Sequence, residues 1–201
     1  MVLVPGERIE RWVTNFCGRH GETGLAVADG ALTGAAADGS TFEAHLPFGA
    51  AYDGLPEPAA FAAAVTRPEE WGVLLVRKGG FAVARLRGAT LVEHKIGQRH
   101  VQGRTKAGGQ SQQRFARRRD NQARQAYEAA ADHAARILGE RAGLPVVTGG
   151  DHAAVEEVLA DRRLAGLVVH EPWLAVPDPR RAVLDQAVLD AGAVRVDVVN
   201  A

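Results

Sequence analysis

The chain has 201 residues, 46% of them hydrophobic and 24% charged, with 24 basic and 24 acidic side chains in balance. That suits one domain of ordinary size, or a core with a small N-terminal subdomain, and it supplies enough apolar material to bury a real core. A single cysteine, Cys17, excludes an intrachain disulfide, no apolar run reaches the ~18 residues of a spanning helix, and the start lacks signal-peptide order. A reduced, cytoplasmic setting with no membrane contact is therefore expected.

In residues 7–18, Ile9, Trp12, Val13, Phe16 and Cys17 recur at helical spacing, which predicts an amphipathic helix ended by Gly18 and Gly21. Its neighbours make Cys17 a buried helical thiol rather than a nucleophile. Short extended runs follow at Leu25–Ala28, Ala31–Ala35 and Thr41–Leu46, separated by Asp29-Gly30 and Asp38-Gly39. Asp-Gly between extended runs predicts hairpins. Three prolines mark 47–58 as a connector, and an Ala-rich helix near 58–66 stops before Pro68. The expected division is a helix-plus-hairpin subdomain over 1–66 and a second domain over 67–201.

From Gly72 the pattern becomes a meander of three adjacent antiparallel strands, Gly72–Arg77, Phe81–Arg87 and Thr90–Lys95. Residues 96–112 then read as a long loop, and such loops are usually functional or disordered. Residues 113–139 contain one glycine at the far end and no proline, predicting a long helix. Its buried stripe is Ala123, Ala126, Tyr127, Ala130, Ala134, Ile137 and Leu138. Beyond it come a strand at Leu144–Thr148, a Gly149-Gly150 turn with Asp151 as N-cap, and a helix to about Leu159. A strand at Leu164–His170, a helix from Pro179 to about Ala191 and a last strand at Val194–Val199 complete the order. Strands interleaved with helices after a meander predict a mixed-sheet α/β fold.

Charge is distributed unevenly. From His94 to Arg119 stand Lys95, Arg99, Arg104, Lys106, Arg114, Arg117, Arg118 and Arg119 with no acid, so the rest of the chain carries eight excess acids. Such a stretch reads either as a solvated basic loop or as a surface for a polyanion. The histidines show no helical i, i+4 spacing with acidic neighbours, so no metal is expected. Neither a nucleophile elbow, a P-loop nor a dinucleotide fingerprint is present. His94 and His100 could touch phosphate or remain inert. Thr148–Asp151 looks like a phosphate loop only superficially, because no Lys or Arg follows it.

Within the basic stretch lies Gly108-Gly109-Gln110. Paired glycines let a backbone approach a ligand closely. Glutamine is neither base nor nucleophile near neutral pH. Its amide and the backbone N–H can position water and stabilise a developing oxyanion, which suffices for an activated ester. On those three letters alone a Gly-Gly turn before a helix, with Gln110 or Ser111 at the boundary, is the better reading.

The wider segment Gly108–Arg119, GGQSxxRFARxR, resembles the peptidyl-transfer motif of eukaryotic and archaeal class 1 peptide-chain release factors. The preceding meander and following helix look like their middle domain, a ribonuclease-H-like α/β unit, over roughly 72–140. The Asn-Ile-Lys-Ser signature and the Cys-centred Tyr/Phe motif of stop-codon readers do not occur. The chain thus looks like a compact actinobacterial member of the Vms-like release factors, which resemble peptidyl-tRNA hydrolases of ribosome rescue. The resemblance implies a monomer without cofactor, acting on peptidyl-tRNA at the large ribosomal subunit. It implies catalysis by Gly108, Gly109 and Gln110, with Gln112 or Gln113 as the fallback. It also gives Lys95, Arg99, Arg104, Lys106, Arg114, Arg117, Arg118 and Arg119 the role of RNA contacts. Eukaryotic relatives associated with cutting tRNA near its acceptor end make tRNA cleavage the alternative, followed by a ribosome-binding module without catalysis.

Overall fold

The computed structural model describes residues 1–98, 124–139 and 141–201. The described residues form a mixed α/β structure with two five-stranded sheets, and the contacts divide the chain into two compact units. The first comprises residues 1–68, 170–172 and 188–201, and the second 69–169 and 173–187.

In the first unit the sheet order is β1 (Val2–Val4), β10 (Val194–Val199), β4 (Thr41–His45), β3 (Ala31–Ala36) and β2 (Thr23–Ala28), with every neighbour antiparallel. The β2–β3 connection is the Asp-Gly turn that the sequence predicts: Asp29 and Gly30 both have positive φ, 50° and 74°. That is a two-residue turn whose twist matches its strands. Helix α1 (Ile9–His20) buries Ile9, Val13 and Phe16, and α2 (Pro58–Ala64) buries Phe61, in one core with Leu32, Phe42, Ala44, Val194 and Val196. Phe42 meets Phe16 and Trp12 edge-on, with ring centroids 5.0 and 5.3 Å away. Such pairs contribute about 0.5–1.5 kcal/mol beyond their burial. Phe42 lies over Gly34 on the paired strand, where any Cβ would collide with its ring.

Two local expectations are corrected here. Gly18 lies inside α1, and Gly21, with φ 89°, ends the helix alone. Cys17 is half-buried rather than enclosed.

The second unit carries the sheet β7–β6–β5–β8–β9. Strands β5 (Glu70–Arg77), β6 (Gly80–Arg87) and β7 (Thr90–Gln98) form the predicted antiparallel meander, and β8 (Pro145–Gly150) joins β5 in parallel. Strand β9 (Val168–Leu174) and helix α5 (Arg181–Ala191) contribute residues to both units. Helical residues 124–134 (α3) pass into a π-turn at Ala135–Gly139. Together with α4 (His152–Leu159), they bury one face of the sheet: Leu74, Val76, Phe81, Val83 and Val146 pack with Tyr127, Ala130, Ala134, Ile137, Leu138, Val155 and Val158. The predicted helix stripe is buried as expected among the described residues, with Ala131 and Ala135 added.

Three boundaries move. Strand β7 continues through Ile96, Gly97 and Gln98, so the expected loop begins later. Strand β8 runs through Gly149 and Gly150 instead of turning at them, because β9 passes so close that a Cβ on Gly149 would strike the Leu174 backbone. Leu164 belongs to a 3-10 turn (Arg162–Leu164), and β9 starts only at Val168.

Candidate active site

Of the sequence-predicted site residues, Lys95 is the one within the described residues. Gly108, Gly109, Gln110, Gln112, Gln113, His100, Arg99, Arg104, Lys106, Arg114, Arg117, Arg118 and Arg119 lie outside them. The described residues nearest that segment in sequence are those of β7 and α3. Lys95 is exposed on β7, opposite Val83 of β6. Strand β7 is an edge strand, and the two-residue period of a strand sets Lys95 on the same face as Glu93, which pairs with Arg136.

Gln98, the last residue of β7, and Gln125, in the first described turn of α3, line the same cleft of about 500 Å3. Lys95 and Gly97 form one wall of that cleft, Glu128, Asp132 and His133 the other, with Phe81 of β6 also lining it. Phe81 and His133 stack at 5.5 Å and 27°. Burial holds the His133 pKa below the ordinary imidazole value, helped by the neighbouring charges of Lys95 and Arg136 and opposed by Asp132. The imidazole is consequently neutral near pH 7, a neutral hydrogen-bonding group beside a lysine.

The other end of α3 is fastened by charge. Arg136 pairs with Glu93 of β7. Arg85 bridges Glu93 at 3.9 Å and Glu70 at 3.6 Å, and Glu70 also takes Arg87 and Arg141 at 3.0 Å each. The hydrogen bond from Arg87 contributes most to holding the Glu70 carboxyl below its usual range, with Arg141 adding to it. Isolated surface pairs contribute little, but a shared carboxylate among three guanidiniums orders a network. A third tie joins Arg163, after α4, to Asp132 on α3 at 2.7 Å and to Asp161 at 2.6 Å. Arg163 holds Asp161 at a pKa of about 2.

The remaining candidates behave as structure. Exposed His94 approaches Arg181 at 3.3 Å, and Arg181 is paired with Asp185 at 2.8 Å. Asp151 occupies the N-cap position of α4 without a side-chain capping bond, and its carboxylate faces Arg77 at 3.4 Å. Among the described residues no cluster of His, Cys, Asp or Glu could hold a metal ion, and no helix is long and apolar enough to cross a membrane. Sequence reading passes over Phe81, Gln98, Gln125 and His133, since no local pattern marks residues that meet only when β7 and α3 are packed together.

No match is found among curated proteins. A family model, the Actinobacteria/chloroflexi VLRF1 release factor, matches residues 69–197, a span that takes in the meander, the cationic stretch and the helices after it. On that match, covering well over half of its length, the chain belongs to the Actinobacteria/chloroflexi VLRF1 release factor family.

Proposed function

We propose that the protein hydrolyses the ester bond of peptidyl-tRNA on the large ribosomal subunit, without reading a codon, and so frees nascent chains from stalled ribosomes. One observation carries this reading: Gly108-Gly109-Gln110 sits in an acid-free stretch of eight cations inside the span matched by a release-factor family. Water attacks the ester carbonyl carbon, the bond to the ribose oxygen breaks, and the leaving oxygen takes a proton derived from that water. In this reading Gln110 positions the water and donates to the developing charge, and Gly108 and Gly109 let the backbone approach it. Lys95, Arg99, Arg104, Lys106, Arg114, Arg117, Arg118 and Arg119 hold RNA phosphates. The meander followed by α3 supports reading residues 69–187 as the ribonuclease-H-like middle-domain unit of such factors, working as a monomer in the cytoplasm.

The test uses isolated large subunits carrying peptidyl-tRNA, mixed with wild-type or Gln110→Ala protein. Release of intact tRNA and free peptide by the wild type, with sharply reduced release but retained subunit binding by the variant, is the expected outcome. A nucleotide remnant on the peptide would identify tRNA cleavage instead. Undiminished release by Gln110→Ala overturns the assignment of Gln110.

A further inference from the structure

The first unit has a groove of about 560 Å3 between the edge strand β1 and helix α1. Its volume lies within the roughly 300–1,000 Å3 of sites that take small molecules or single nucleotides. The β1 side contributes residues 3–5, and α1 with the turn before it contributes Arg8, Arg11, Trp12 and Asn15. Those four recur at i, i+3, i+4 and i+7, so they line up along one face of the helix. Arg8 and Arg11 are exposed, and neither has an ion-pair partner among the described residues. Arg195, by contrast, lies 3.3 Å from Asp197 in the same unit. Trp12 is half-buried, stacked on Phe16 at 5.7 Å, and its indole N–H has no protein acceptor among the described residues.

We infer that this groove binds a short stretch of single-stranded RNA, with phosphates on Arg8 and Arg11, a base against the Trp12 indole and the Asn15 amide on a base edge. Charge complementarity chooses the occupant. Two unneutralised guanidiniums call for an anion, and an aromatic ring and a carboxamide next along the same helix face suit the π-face and polar edge of an unpaired base. An acidic peptide would satisfy the arginines but leave the ring and amide without specific work. The groove residues lie outside 69–197 in sequence and include none of those assigned to ester hydrolysis, so the inference stands independently of that reading.

The experiment uses the full chain and a ten-nucleotide oligouridylate containing 4-thiouridine, photocrosslinked and mapped by mass spectrometry. Crosslinks within residues 3–15 are expected. They should be lost in the Arg8→Ala/Arg11→Ala double variant, which keeps the wild-type melting temperature because both residues are exposed. Removing two phosphate contacts should also lower the slope of log affinity against log salt by about 1.4. Gln110→Ala should leave these crosslinks intact, which separates failure of this site from failure of the hydrolysis reading. Crosslinks confined to other segments overturn the inference, and so does a groove crosslink indifferent to the double substitution. Displacement of the RNA from the groove by poly-glutamate more strongly than by unlabelled oligouridylate assigns the groove to acidic peptides and overturns it too.

Discussion

Arginines in this protein fall into two groups that composition cannot tell apart. Arg85, Arg87, Arg136, Arg141 and Arg163 are engaged with Glu70, Glu93, Asp132 and Asp161, and they tie α3 and its surroundings to the sheet. Arg8 and Arg11 face a groove that no acid lines among the described residues. Lys95 stands between the two, exposed like the second group but across a cleft from Glu128 and Asp132. A cation's role is set by the acids within reach of it, and these come from other strands and helices. Neutral net charge therefore conceals both a structural clamp and cations that have no ion-pair partner among the described residues.

Breaking the functional side of that contrast should give the largest effect. Gln110→Ala is expected to lower peptide release by about 100- to 1,000-fold, the cost of losing one preorganised donor, with subunit binding near wild type. Single-turnover release from purified subunits measures it. The next effect is on folding. Gly34→Val would drive a branched side chain into the Phe42 ring and should cost about 1–3 kcal/mol in a denaturant titration, whereas Thr33→Val, one residue away on the partly exposed side of β3, should cost much less.

The clamp should yield a smaller, pH-dependent effect. Glu70 has a depressed folded-state pKa, so its stabilisation is present above its ordinary value near 4.5 and fades as pH falls through the lower folded value. Glu70→Gln should lower the melting temperature at pH 7 and flatten the acid limb of its pH profile. An unchanged acid limb would show that the three surrounding guanidiniums do not depend on this carboxylate. His133 should show the weakest effect and the same slope. Its folded pKa is lowered, so the unfolded chain binds more protons, and stability decreases as pH falls from about 6.5 towards the folded value. His133→Gln should remove that step from melting curves taken between pH 5 and 7.

Local patterns made much of the fold legible. The Asp29-Gly30 hairpin, the β5–β7 meander and the Val194–Val199 strand follow from turn chemistry and alternation, both of which act within a few residues. What escaped was set by distant partners. Val2–Val4 is too short to signal a strand, and it becomes one because Val194–Val196 lie alongside. Gly149-Gly150 resembles a turn, and the close passage of β9 makes it strand. Nothing in Val194–Val199 itself indicates that it inserts between β1 and β4. For the candidate site, the motif and its cations were readable from residue identity alone. The cleft between β7 and α3 was not, because Phe81, Gln98, Gln125 and His133 come from three separate elements.

The place of β10 also has a temporal consequence. With β10 between them, β1 and β4 share no backbone hydrogen bonds, so the first unit's sheet stays divided until Val194–Val199 arrives. The second unit has all five of its strands by Leu174. During synthesis the sheet encoded first should thus be completed last, the reverse of the usual N-terminal lead. Arrested nascent chains ending before Val194 should leave α1 open to protease while the β5–β9 sheet already resists it. Equal protection of both at that length would rule this order out.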